Sequence, residues 1–114
     1  MRFLFLLSAF LICQPAFASD LPHYDSQGYC TAYATGPDGQ ISKDIYDPCL
    51  TSEYFAQAQL EDRWSEISGT TRQLCDKAAR SDRNDRSGSG SYGLFKSCIE
   101  KQERQAKDLP KPSN

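Results

Sequence analysis

"SKDIYDPCL" (residues 42–50) and "SYGLFKSCI" (residues 91–99) align without a gap. Each opens with a Ser seven positions before a Cys. Each carries an aliphatic residue four before the Cys (Ile45, Leu94), an aromatic three before it (Tyr46, Phe95) and an aliphatic just after it (Leu50, Ile99). A second pair, "CTAYA" (30–34) and "CDKAA" (75–79), aligns a Cys with an Ala four positions on (Ala34, Ala79). Offsets of three and four place side chains on one face of a helix, and a preceding Ser suits an N-cap. The chain therefore reads as one unit written twice, each a Cys-bearing helix, a loop and a second Cys-bearing helix. The second loop is four residues longer and holds the run "DRNDRSGSGS" (82–91). A helical hairpin cannot bury its apolar stripe alone, so two units pack together. The predicted fold class is all-α, with two tandem disulfide-stapled hairpins forming one small four-helix domain.

The elements follow from caps and breakers. Asp25 or Ser26 caps a first helix over "SQGYCTAYAT" (26–35), and "GPDG" (36–39) is a turn. Ser42 reads as the next cap. Ile45, Cys49, Ala56, Leu60, Trp64 and Ile67 then define a helix face, but Pro48 interrupts it. Proline is tolerated in the first turn and kinks a helix interior, so the main helix is predicted over 48–67 with Asp47 as its cap and an extra turn before it. Thr70 and Gln73 have capping-box spacing and open a third helix through Ala79. Ser91 opens the fourth, with Leu94, Phe95, Cys98, Ile99 and Ala106 inward. The repeat units span about 26–67 and 70–107, and residues 108–114, with two prolines, form a disordered tail.

Residues 1–18 read as a signal peptide. Arg2 precedes an apolar run from Phe3 to Ile12, Pro15 breaks the helix, and Ala16-Phe17-Ala18 supplies the small residues of a cleavage site. That run is half the length of about 20 residues that a membrane-spanning helix needs. Cys13 follows Ile12 rather than a small residue, which disfavours lipidation. Cleavage before Ser19 leaves a helical domain over 19–107 and the tail. It also leaves 12 basic against 15 acidic side chains, a net charge of −3. An acidic chain without a basic cluster is a poor partner for nucleic acid or anionic membrane.

The exported chain keeps four cysteines, Cys30, Cys49, Cys75 and Cys98, an even number in an oxidising compartment. Cys30 lies ~7 Å before the end of its helix and Cys49 ~10 Å up the returning segment, and Cys75 and Cys98 have matching offsets. Both pairs are level across their hairpins, which favours Cys30–Cys49 and Cys75–Cys98. Joining Cys49 to Cys75 misplaces them by ~20 Å along the main helix. Cys30–Cys75 with Cys49–Cys98 stays open if the units face each other directly.

These features resemble a family of small exported bacterial proteins. In that family a Tyr-Cys helix, a Gly/Ser loop and Ser-Tyr-x-x-Leu-x-x-Cys-[Ile/Val]-x-x-x-Glu form a unit that is often duplicated, with a Trp between copies. The matching residues are Tyr29-Cys30, Tyr46, Cys49-Leu50, Glu53, Trp64, Cys75 and Ser91-Tyr92 through Cys98-Ile99. Departures are Pro48, Gln102 at the second Glu position with Glu103 one later, and the longer second loop. The resemblance implies the fold and the compartment, and no activity.

Candidates for chemistry are few. The cysteine spacings fit no zinc site and contain no Cys-x-x-Cys, so structural disulfides are expected. His23, the single histidine, lies in the segment "SDLPHYD" (19–25), read as a solvated leader. "DRNDRSG" (82–88) faintly resembles a calcium loop through Asp82 and Asn84. Arg86 stands where an oxygen ligand belongs, and no Glu closes the pattern. Glu53 falls near the Cys49–Ala56 face and reads as a surface residue, a structural ion pair with Arg72, or a partly buried acid. Neither metal nor cofactor is expected. Tyr46, Phe95 and Trp64 are expected in the core, and Tyr24, Tyr33 and Tyr54 are candidate contact residues, Tyr being favoured at protein interfaces.

The expectation is a periplasmic or secreted, non-enzymatic interaction protein of the bacterial cell envelope. It would bind a protein or an envelope component, with no nucleic-acid partner and no span in the mature chain. The alternatives are an inhibitor of a cell-wall lytic enzyme and, less favoured, a small hydrolase whose acids meet only in the fold.

Overall fold

The computed structural model describes residues 21–109. The expected signal peptide, Cys13 and residues 110–114 of the expected tail lie outside them. The described chain runs α1 (Ser26–Ala34), α2 (Lys43–Arg63), a 3-10 turn (Trp64–Glu66), α3 (Gly69–Arg80) and α4 (Tyr92–Asp108). α1 packs on α2, α3 packs on α4, and contact between α2 and α4 joins the two hairpins. The protein is a small all-α domain stapled by Cys30–Cys49 and Cys75–Cys98, whose Cα atoms lie 5.7 and 5.4 Å apart. These are ordinary spans for a disulfide, and the hairpin pairing is the one present.

Helix starts follow local chemistry, with corrections. The Asp25 carboxylate accepts the Gly28 N–H at 2.9 Å and caps α1. The Ser91 hydroxyl accepts from Leu94 at 3.0 Å and caps α4. α3 is capped by Ser68, not Thr70: the Ser68 hydroxyl accepts the Thr71 N–H, and the helix starts at Gly69. α2 starts at Lys43, five residues before Pro48, rather than at Asp47. Pro48 removes one hydrogen bond to the Asp44 carbonyl, yet the turn before it is fastened on both sides. Ser42 donates its N–H to the Ala34 carbonyl at 2.9 Å and accepts from Ile45 and Tyr46, while the disulfide holds Cys49. α2 ends at Arg63 and tightens into the 3-10 turn, so Ile67 reaches the core from extended backbone, not from a helix face. α4 includes Asp108, and Ala106 on it is exposed.

The core consists of Tyr24, Ala56, Leu60, Ile67, Cys75, Ala79, Tyr92, Phe95 and Ile99, flanked by Leu21, Trp64, Leu94 and Cys98. It is lopsided. Phe95 and Ile99 are fully buried, whereas their sequence counterparts Tyr46 and Leu50 are only half-buried and Ile45 is exposed. Trp64 is half-buried, its ring centroid 6.0 Å from that of Phe95, with the Arg72 guanidinium 4.1 Å above it. The second hairpin thus supplies most of the core, and α2 adds Ala56 and Leu60 to it.

The segment before α1 is a structural strap, not a solvated leader. Tyr24 is 2 % exposed, so it is a core residue and not a contact residue. Its ring meets Tyr92 edge-on at 5.0 Å and Phe95 at 5.8 Å, and its hydroxyl donates to the Asp76 carboxylate at 2.7 Å. Burial and that hydrogen bond hold the phenol far above its ordinary pKa. Arg80 lies over the same ring at 4.8 Å and pairs with Asp76 at 3.0 Å. Gly90 allows the ring to fit: its φ is +82°, and a Cβ there would lie 2.8 Å from Tyr24 Cδ1.

Candidate functional site

Two polar residues, each from one hairpin, close the helix ends of the other. Glu53, on α2, is 3 % exposed. Its Oε2 accepts the Tyr92 N–H at 2.8 Å and the Ser26 hydroxyl at 3.4 Å, and its Oε1 accepts the Gly93 N–H at 3.1 Å. The first N–H groups of α4 are unpaired within the helix, and the helix dipole favours negative charge there. Glu53 is therefore neither a surface residue nor the partner of Arg72. Its carboxylate is occupied by three donors in a structural role. In the opposite direction, Arg86 donates to the carbonyls of Tyr33 at 3.4 Å and Thr35 at 3.3 Å. Those carbonyls close α1, a helix with no basic residue in its last turn.

The Ser/Gly run between α3 and α4 is organised rather than slack. Asp85 is buried, and its carboxylate accepts from Ser87 N at 2.9 Å and Gly90 N at 2.8 Å, with the Ser87 hydroxyl alongside. Asp82 accepts the Asn84 N–H at 2.8 Å. The acidic side chains of the calcium-like stretch are thus used on the loop's own backbone, and no cluster of metal-ligating side chains occurs among the described residues. In the sequence Asp85 has no assigned role, Ser26 reads only as an alternative cap of α1, and Arg86 only as a misfit in the calcium-like pattern. An Asp two residues before a Ser in a Gly-rich loop is an Asx-turn signal that would have marked Asp85. Nothing local marks the contacts of Arg86 or Ser26.

The exposed apolar side chains form the remaining feature. Tyr33 (58 % exposed), Ile41 (54 %) and Ile45 (44 %) surround one groove at the loop end of the first hairpin, of about 340 Å³. The floor is rigid. The "GPDG" turn closes through Gly39 N–H to the Gly36 carbonyl and Gly36 N–H to the Gln40 carbonyl, both 2.9 Å, and Thr35 and Ile41 form an antiparallel bridge. Tyr33 also stacks on Tyr29, with centroids 6.2 Å apart. Tyr54 lies elsewhere, half-exposed on α2 in a groove with His23, Asp25, Gln27 and Gln57. Of the three candidate contact tyrosines, Tyr33 stands at the hairpin tip, while Tyr24 is a core residue that also reaches the wall of the groove holding Tyr54. No protein-family model, curated protein sequence or solved structure matches this chain.

Among the described residues no helix is long and apolar enough to cross a membrane.

Proposed function

We propose that the protein is an exported, non-enzymatic interaction module of the bacterial cell envelope, and that it docks a protein partner through the tip of its first hairpin. The observation that carries this reading is the exposed cluster of Tyr33, Ile41 and Ile45 around one braced groove. On the reading of the chain as a duplicated unit, Leu94, Phe95 and Ile99 pack into or against the core. Their counterparts Ile45, Tyr46 and Leu50 keep apolar surface without a covering element. An aromatic anchor beside aliphatic side chains is the composition of an interface centre. Asp38 lines the groove and Arg86 is held at its edge on the Tyr33 and Thr35 carbonyls, so the fitting partner presents an apolar knob flanked by polar groups rather than by one sign of charge. The apolar leader with its small-residue cleavage site, together with the two disulfides, supports export to the periplasm or the medium.

Affinity capture from envelope extract, with the intact disulfide-bonded protein as bait, tests the reading. A partner held by the wild type and lost by both Tyr33→Ala and Ile45→Ser, with thermal midpoints unchanged, supports it. Capture of no specific protein, or equal capture by the variants, overturns it. If the partner is a cell-wall lytic enzyme, its lytic rate with and without the protein separates inhibition from docking. The braced, exposed 36–39 turn beside Tyr33 is the feature that would enter such an enzyme's cleft.

A further inference from the structure

We propose that the groove between the strap and α2 is a saccharide-binding site that accepts one neutral pyranose ring, independent of the hairpin tip. It is shallow, of about 270 Å³, and is lined by Tyr54, Gln57, Gln27, His23, Asp25 and Tyr92. This lies just below the lower bound of small-molecule sites, ~300 Å³. Tyr54 is half-exposed and is the exposed aromatic ring of the lining, the kind of surface the C–H face of a sugar packs on, and Gln57 stands about one turn further along the same helix. Gln27, Gln57 and His23 supply both donors and acceptors, which ring hydroxyls require in pairs.

A second observation points to a ligand. Tyr92 is 3 % exposed, yet it forms part of the groove wall. Its hydroxyl accepts the Tyr24 N–H at 3.3 Å, and its own proton has no acceptor among the described residues. A buried hydroxyl donor without an acceptor among the described residues is costly, and a ligand oxygen that reached it from the groove would satisfy it. A proline-rich peptide is the competing occupant. Such peptides use several exposed rings side by side, whereas here Tyr24 and Tyr92 are buried and only Tyr54 is open. The mixture of one aromatic face with amides favours the sugar.

The test is a two-dimensional ¹⁵N–¹H NMR titration of the disulfide-bonded protein with N,N′-diacetylchitobiose, with cellobiose and, separately, with a proline-rich peptide. A saccharide is expected to shift resonances of residues 23–27, 54–57 and 92 and to leave residues 33–45 unchanged. Tyr54→Ala should bind it about tenfold more weakly, the usual scale for loss of an aromatic anchor. Tyr54→Phe and Tyr33→Ala should bind like the wild type, and helical circular dichroism shows that each variant is folded. The proposal is overturned if neither saccharide shifts these residues, if the peptide alone does, or if Tyr54→Ala binds as tightly as the wild type.

Discussion

Glu53 and Tyr92 are 39 residues apart in sequence and belong to different hairpins, yet the Glu53 carboxylate accepts the Tyr92 backbone N–H at 2.8 Å. With Gly93 and Ser26 as further donors, one buried side chain closes the start of α4 and touches the start of α1. Glu53→Ala should therefore cost about 3 kcal/mol or more, because two buried donors and one part-buried donor lose their acceptor. Glu53→Gln keeps one carbonyl oxygen and should cost roughly half as much. Urea unfolding of both variants checks the order. The exposed Arg63–Glu103 pair, bidentate at 2.7 and 2.9 Å, is the control: Glu103→Gln should cost under about 1 kcal/mol.

Gly90→Ala should be among the most damaging single-methyl additions. The backbone there has φ +82°, and the new Cβ would press on the Tyr24 ring and lie 3.4 Å from the Ala79 carbonyl. A left-handed non-Gly residue costs roughly 1–2 kcal/mol before any clash, so a loss of about 2–4 kcal/mol is expected. Gly88→Ala, at φ +69° with open space around it, isolates the backbone part. Thermal midpoints of the two variants should differ by the contribution of the Tyr24 contact.

Each disulfide closes a loop of sequence separation 19 or 23, worth roughly 3 kcal/mol on the chain-entropy description. Full reduction removes a large share of a stability of about 5–15 kcal/mol and should unfold much of the protein at 37 °C. Replacing Cys75 and Cys98 by Ala should cost more than replacing Cys30 and Cys49, because Cys75 belongs to the core cluster with Phe95 and Ile99. Denaturant midpoints give the order. Cleavage after Arg63 or Arg72 without reductant, followed by denaturation, should release two internally linked halves. Halves that stay joined would contradict the pairing.

Alkali should unfold the protein through Tyr24 and Tyr29. Burial raises both phenols, and Asp76 adds to the shift at Tyr24. The neutral phenol is thus favoured in the folded state, while the unfolded chain ionises near pH 10. Stability is complete below that pH and falls as pH rises above it, since only the unfolded state then releases these protons easily. Tyr24→Phe loses the hydrogen bond to Asp76 and should be less stable at pH 7, with a shallower decline above pH 10. Unfolding free energies between pH 7 and 11 measure both effects.

Features that depend on near neighbours are legible in the residues alone. Cap residues, turn glycines and i, i+4 spacing act within one or two helical turns, so four helices and the absence of strand patterning were legible. Loop offsets of the cysteines also sufficed to favour the hairpin pairing, because a disulfide reaches only across facing positions. Tyr33 and Tyr54, expected as contact residues, are both exposed. Long-range packing set which polar and aromatic residues are buried. Tyr24 looked like part of a leader because its neighbours are polar, and it became core because Gly90 leaves room for its ring. Glu53 and Arg86 have no local partner. Each serves a helix end on the other hairpin, and helix-end groups carry no sequence signal for the residue that will satisfy them. Pro48 stays inside α2 because a disulfide and a neighbouring turn hold the residues around it, an energetic balance set by long-range contacts. The grooves at the hairpin tip and beside Tyr54 likewise exist only where distant segments, 33–45 in one case and 23–27 with 54–57 in the other, are brought together by packing.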